Sequence, residues 1–181
     1  EGDLVVPGLI EMHTDNVEKH LEPRPGVMWP SPVSALLAHD AQMATAGVTT
    51  VFDAISVGDY QEDGRRREML DRLIDGVRQG ESESLFGAEH RLHLRCEVSD
   101  QAVVKMFEPL AEEPLVQLVS VMDHTPGQRQ WQGLEKMREF HTRRRTYTDD
   151  EFAAFIQDRQ AKQARYADAH RRQIIELWKS R

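Results

Sequence analysis

Cysteine is almost missing from this sequence. Cys96 stands alone among 181 residues, so no internal disulfide can staple the fold, and a reducing compartment such as the cytoplasm is expected. Long apolar runs are missing as well. No stretch nears the roughly 20 apolar residues that a membrane-spanning helix needs, and no basic start followed by an apolar run marks a secretory signal. Basic charge is scarce: 23 Lys plus Arg face 31 Asp plus Glu, a net charge of −8. That balance opposes nucleic-acid binding, which rests on neutralising phosphates, so any anionic ligand has to meet a local group of basic residues. No GxSxG elbow, P-loop or GxGxxG fingerprint occurs, which leaves covalent and dinucleotide chemistry without support. Position 1 is Glu1 rather than methionine, and an apolar run follows within a few residues; the natural start is expected to lie upstream.

What is present is an ordinary globular balance, 39% hydrophobic and 30% charged. Residues 4–12 form an apolar run bent at Pro7 and Gly8 that ends in His13, Thr14, Asp15 and Asn16, a strand with polar chemistry at its C-terminal end. Ser31 before Pro32 is a helix start, Leu36, Leu37, Ala41 and Ala44 recur at helical spacing, and Gly47 closes the segment. Residues 48–54 are β-branched and predict a second strand. Met69, Leu70, Leu73, Ile74 and Val77 share a helix face that is expected to stop near Gly80. Residues 92–98 alternate as a third strand. Ser99 and Asp100 then cap a helix carrying Val103, Val104, Phe107 and Leu110. Residues 115–122 are a fourth apolar run, ending in Asp123 and His124, and Thr148 with Glu151 has capping-box spacing at the head of a long helix reaching about Trp178.

Strands alternating with helices predict βαβ units and a parallel sheet. An open doubly wound sheet and a (β/α)₈ barrel both fit, and a barrel takes about 250 residues, so this chain would supply about half of one. In either architecture, ligands bind at the C-terminal ends of the strands.

Several residues with site chemistry fall on that rim. His13 and Asp15 are separated by one residue, so the two-residue period of a strand sends both side chains to one face, where imidazole and carboxylate can share a metal. His93, Arg95 and Glu97 alternate with Leu92, Leu94 and Cys96. Three ionisable groups on one face of a buried strand need partners: a metal, each other or a ligand. Glu97, nearest the C-terminal end, is the metal candidate of the three, and His124 follows the fourth strand. Lys19, His20, Arg24, Arg95 and Arg129 are the candidates for binding phosphate oxygens, each Arg being able to do so bidentately. Gly58, Asp59, Tyr60 and Asp63 follow the second strand, where substrate contacts are possible. Arg143, Arg144 and Arg145 read as a solvated run.

The segments VVPGLIEMHTDNVEKH, PRPGVMWP, GVTTVFDA, LHLRCEV and VSVMDHTPGQRQ together resemble the PhnM-type branch of the amidohydrolase superfamily, the ribose 1-methylphosphonate 5-triphosphate diphosphatases of the carbon-phosphorus lyase pathway. The resemblance implies a partial (β/α)₈ TIM-like barrel of the metal-dependent amidohydrolase type over residues 7–181, about the first four β/α units, and a remnant of a β-sandwich domain at residues 1–6. It implies one or two divalent ions, such as zinc or manganese. His13 and Asp15 would be the first metal pair, Glu97 a stand-in for the bridging carboxylated lysine, and His124 a following ligand. Asp15 departs from the His-x-His of most amidohydrolases, which favours this branch. The implied reaction is hydrolysis of a phosphorylated sugar phosphonate by metal-activated water with release of pyrophosphate. No nucleic acid or membrane partner is expected, and a homo-oligomer is possible. The alternatives are another amidohydrolase acting on a C–N bond, and a non-catalytic fragment, since the later metal ligands of the family are not in this chain.

Overall fold

The computed structural model describes residues 2–58, 65–127, 135, 137–139 and 147–181. Its elements are β1 (Leu9–Thr14), α1 (Asn16–Leu21), α2 (Pro32–Thr45), β2 (Val48–Val57), α3 (Arg65–Ser82), β3 (Glu89–Glu97), α4 (Val103–Phe107), a 3-10 turn (Glu108–Leu110), β4 (Val116–Met122) and α5 (Asp149–Lys179). The strands form a four-stranded parallel sheet in the order β1-β2-β3-β4. A doubly wound sheet reverses its strand order at a switch point, whereas a barrel follows chain order throughout. The unreversed order is therefore that of part of a TIM-like barrel. Among the described residues, no helix is long and apolar enough to cross a membrane.

The chain divides into two compact units. The first holds β1, α1, α2, α3 and the bodies of β2, β3 and β4. In it, the two-residue period sorts β3 as the alternation requires: Leu92 and Leu94 are fully buried on one side, with His93 and Arg95 on the other. Ser31 Oγ accepts the Ser34 amide at 3.3 Å, and Pro32 opens α2. At Gly76, α3 lies so close to α2 that a Cβ would come within 2.6 Å of Leu36 Cδ1.

The second unit holds α4, α5 and the strand ends from Val57, Cys96 and Val121. Val103, Met106 and Phe107 of α4 are buried, as are Phe152, Ala167 and Ile174 of α5. The capping box at Thr148 and Glu151 forms in both directions, with the Glu151 amide donating to Thr148 Oγ1 at 3.2 Å and the Thr148 amide to Glu151 Oε2 at 2.8 Å.

Four expectations change. The first strand begins at Leu9 rather than residue 4; residues 2–8 have no strand, and Leu4 and Val5 are 92% and 97% exposed. Gly80 does not stop α3, which runs to Ser82. A side chain at Gly80 would overlap the Phe86 ring, so this glycine is a packing notch. Ser99 and Asp100 do not cap α4. Ser99 Oγ goes to Glu97 and Asp100 Oδ1 closes a turn on the Ala102 amide, so the helix starts at Val103 without a side-chain cap. Leu110 belongs to the 3-10 turn, which begins at Glu108 with Pro109 in its second position.

Candidate functional site

β1 delivers His13 and Asp15 to the first unit. Asp15 precedes α1 without spending its carboxylate on that helix, since the first-turn amide of Asn16 goes to Thr14 Oγ1 at 3.2 Å. The freed carboxylate accepts from Arg95 Nη1 at 2.5 Å, and its Oδ1 lies 3.5 Å from His13 Nε2. Both His13 and Asp15 are about half exposed, at 48% and 42%. Behind them His13 Nδ1 stands 3.3 Å from His93 Nδ1, and His93 Nε2 stands 2.9 Å from Ser120 Oγ on β4. Burial, with the nearby charges of His13 and Arg95, pushes the His93 pKa down to about 4. His93 is thus neutral at ordinary pH.

The second unit contains the other pair. Glu97, 1% exposed at the end of β3, accepts the His124 amide at 3.2 Å on Oε1, the Ser99 hydroxyl at 2.6 Å on the same oxygen, and His124 Nδ1–H at 2.8 Å on Oε2. Hydrogen bonds to both oxygens make its burial tolerable. Gly58 makes room for it: at φ +122°, a Cβ there would sit 3.2 Å from Glu97 Cβ.

The phosphate candidates fare differently. Arg95 is engaged by Asp15. Lys19 Nζ reaches Asn16 Oδ1 at 3.5 Å, and His20 Nε2 lies 3.1 Å from Gln42 Oε1. Arg24 sits in the tight turn closed by the Val27 amide on its carbonyl at 2.9 Å. Arg129, the loop residues Asp59, Tyr60 and Asp63, and Arg143, Arg144 and Arg145 lie outside the described residues.

A network that the sequence reading missed lies on the other face of β2 and β3. Asp53 and His90 are fully buried, His39 joins them from α2, and beside it is Asp40. His39 Nε2 meets Asp53 Oδ1 at 2.7 Å, His90 Nδ1 meets Asp53 Oδ2 at 2.6 Å, and His90 Nε2 meets Asp40 Oδ1 at 3.3 Å. Asp40 also accepts the Gly87 and Ala88 amides at 2.9 Å. Among the described residues, the ligand atoms of His39, Asp53 and His90 lie within 4.8 Å of one another, a donor set able to bind a metal. The distances present are those of hydrogen bonds: His39 Nε2 and both His90 nitrogens each face a carboxylate oxygen, while the buried His39 Nδ1 has no hydrogen-bond partner among the described residues. Burial alone would lower the His90 pKa, but its bonds to Asp53 and Asp40 raise it overall. Burial alone would raise Asp53 and Asp40. The histidine bonds, and for Asp40 first the two backbone amides, hold both below the usual carboxylate range. The signal was available in sequence: Asp53 shares a strand face with Val51 and Ile55, and His90 shares one with Leu92 and Leu94, so both charges sit on apolar faces.

Fold and site together describe an α/β protein whose parallel strands follow chain order and carry imidazole and carboxylate groups at or just past their C-terminal ends. No family model and no solved structure matches the chain. It is similar to the alpha-D-ribose 1-methylphosphonate 5-triphosphate diphosphatase of Escherichia coli strain K12, with 41% identity over all 181 residues. The chain spans 48% of that relative.

Proposed function

We propose that this chain is part of a metal-dependent hydrolase of the amidohydrolase type. The reaction converts alpha-D-ribose 1-methylphosphonate 5-triphosphate to 5-phospho-alpha-D-ribose 1-methylphosphonate and pyrophosphate, in phosphonate use through the carbon-phosphorus lyase pathway. The observation that carries this reading is the 41% identity, over the whole chain, to a protein named for that activity.

The residues fit a divalent ion. Two bonds of about 2.1 Å at a tetrahedral angle put their ligand atoms about 3.4 Å apart, and His13 Nε2 and Asp15 Oδ1 are 3.5 Å apart. One or two ions, zinc, manganese or similar, would supply Lewis acidity at a phosphoryl oxygen and a water acidic enough to attack it. His13 and Asp15 are the proposed ligands of the first unit, with Arg95 holding the Asp15 carboxylate in place. Glu97 and His124 are those of the second. Glu97 Oε2 accepts the hydrogen bond of His124 Nδ1–H, which leaves Nε2 as the ligating nitrogen. Lys19, His20 and Arg24, on or just beyond the helix that follows β1, are proposed to meet the substrate's phosphates. Cys96 is no rival nucleophile, because burial pushes its thiol pKa up to about 12.

The test is pyrophosphate release from the ribosyl triphosphate in the presence of a divalent metal. Release that stops on chelation is expected. Hydrolysis of a cyclic amide with the triphosphate left intact would contradict the reading.

A further inference from the structure

A metal bound between His13 and Asp15 needs the lone pair of His13 Nε2, the nitrogen that faces the Asp15 carboxylate at 3.5 Å. In a neutral imidazole the proton then sits on the other nitrogen, Nδ1, and needs an acceptor. The only ring nitrogen the described hydrogen bonds place against it is His93 Nδ1, at 3.3 Å. If that nitrogen accepts, the His93 proton is on Nε2, where Ser120 Oγ stands 2.9 Å away with a lone pair to receive it. Each step fixes the next, and one assignment of protons serves the contacts of His93 with His13 and Ser120; His93 also has a hydrogen bond with the Met12 backbone. The groups come from β1, β3 and β4 of the first unit, so the sheet itself sets their spacing.

From this geometry we infer that His93 is a positioning residue. It accepts the His13 Nδ1 proton, is itself oriented by Ser120, and so locks His13 in the tautomer that presents Nε2 alongside Asp15. Partners of this kind fix the ring orientation and tautomer of a ligating histidine, and losing one costs about 10- to 100-fold in metal affinity. His93 is 5% exposed, which keeps water from replacing it as the acceptor. The inference rests on the reading of His13 and Asp15 as a metal pair, and it assigns to His93 and Ser120 a role that the similarity to the diphosphatase does not.

The experiment titrates the protein, His93→Asn, His93→Leu and Ser120→Ala with cobalt(II), followed by visible absorption. It also records the imidazole nitrogen NMR of the unsubstituted protein loaded with cadmium. His93→Asn keeps an acceptor oxygen near the place of Nδ1, whereas His93→Leu fills the space without one. His93→Leu should lose about 10- to 100-fold in cobalt affinity, and His93→Asn should recover part of that loss. Ser120→Ala should fall between. In the cadmium form, metal coupling should appear at His13 Nε2, with the proton on Nδ1, and none should appear at His93. Cobalt affinity unchanged in His93→Leu, or metal coupling at His93 itself, would overturn the inference while leaving the metal pair intact. An unsubstituted protein that takes up no cobalt would overturn the metal reading and this inference together. The NMR reading needs no variant, so a misfolded His93→Leu does not rescue the idea.

Discussion

At the scale of single residues, Asp53 ties a helix and two strands together through buried hydrogen bonds. It is fully buried and receives a hydrogen bond from His39 on one oxygen and from His90 on the other. Removing one member of such a buried pair strands the others, at a cost of about 3–5 kcal/mol. Asp53→Ala should therefore lower the thermal midpoint by many degrees, read by circular dichroism. Asp40→Asn should cost less, because the one amide oxygen can still accept from both Gly87 and Ala88 as Oδ1 does, with only the Oδ2 contact to Gly87 lost. The same network makes stability depend on pH from both sides. His90 has a raised pKa, so its contribution is full below the ordinary histidine value, about 6.5, and is lost as pH rises through the raised value. Asp53 and Asp40 have lowered values, so their contribution is full above the ordinary carboxylate value, about 4, and is lost as pH falls through the lowered ones. The midpoint should peak between those limits in the parent. A profile in His90→Gln with the same alkaline limb as the parent would show that His90 is not the group responsible.

At the scale of elements, α5 starts where its capping box says it should, and Thr148→Ala should cost about 1 kcal/mol by denaturant unfolding, with Thr148→Ser nearly neutral. Gly80 belongs to packing rather than to helix termination, so Gly80→Ala should destabilise through the Phe86 ring even though alanine favours helix. A gain in stability on that substitution would refute the notch. The sequence made the strands and most of the helices legible because their apolar periods are strong, as in β3, where Leu92, Leu94 and Cys96 are all fully buried. It misplaced the start of β1, since an apolar run looks the same whether or not a neighbouring strand pairs with it, and residues 2–8 do not pair. It recognised His93, Arg95 and Glu97 as a face needing partners but could not say which. The partners, Ser120 within β4 and Asp15 and His124 just past the ends of β1 and β4, are set by the sheet rather than by local spacing. The His39–Asp53–His90 network was missed because, although Asp53 and His90 stand on apolar strand faces, the three members come from segments that local spacing does not connect.

At the scale of the whole molecule, β1 is the edge of the described sheet, and Leu9, Ile10 and Met12 on it are 60%, 61% and 52% exposed. An apolar edge strand with free backbone groups is a template for association. The protein should self-associate with rising concentration, seen by light scattering, and Ile10→Lys should suppress it; identical scattering from both would rule out this edge as the cause. The account as a whole turns on whether the first unit holds a metal, and the metal content of the purified protein tests that most directly. Elemental analysis should find near-stoichiometric divalent metal in the parent and a clear loss in a variant carrying both His13→Ala and Asp15→Ala. Full metal content in that variant, or none in the parent, would contradict the assignment of these residues as a metal pair.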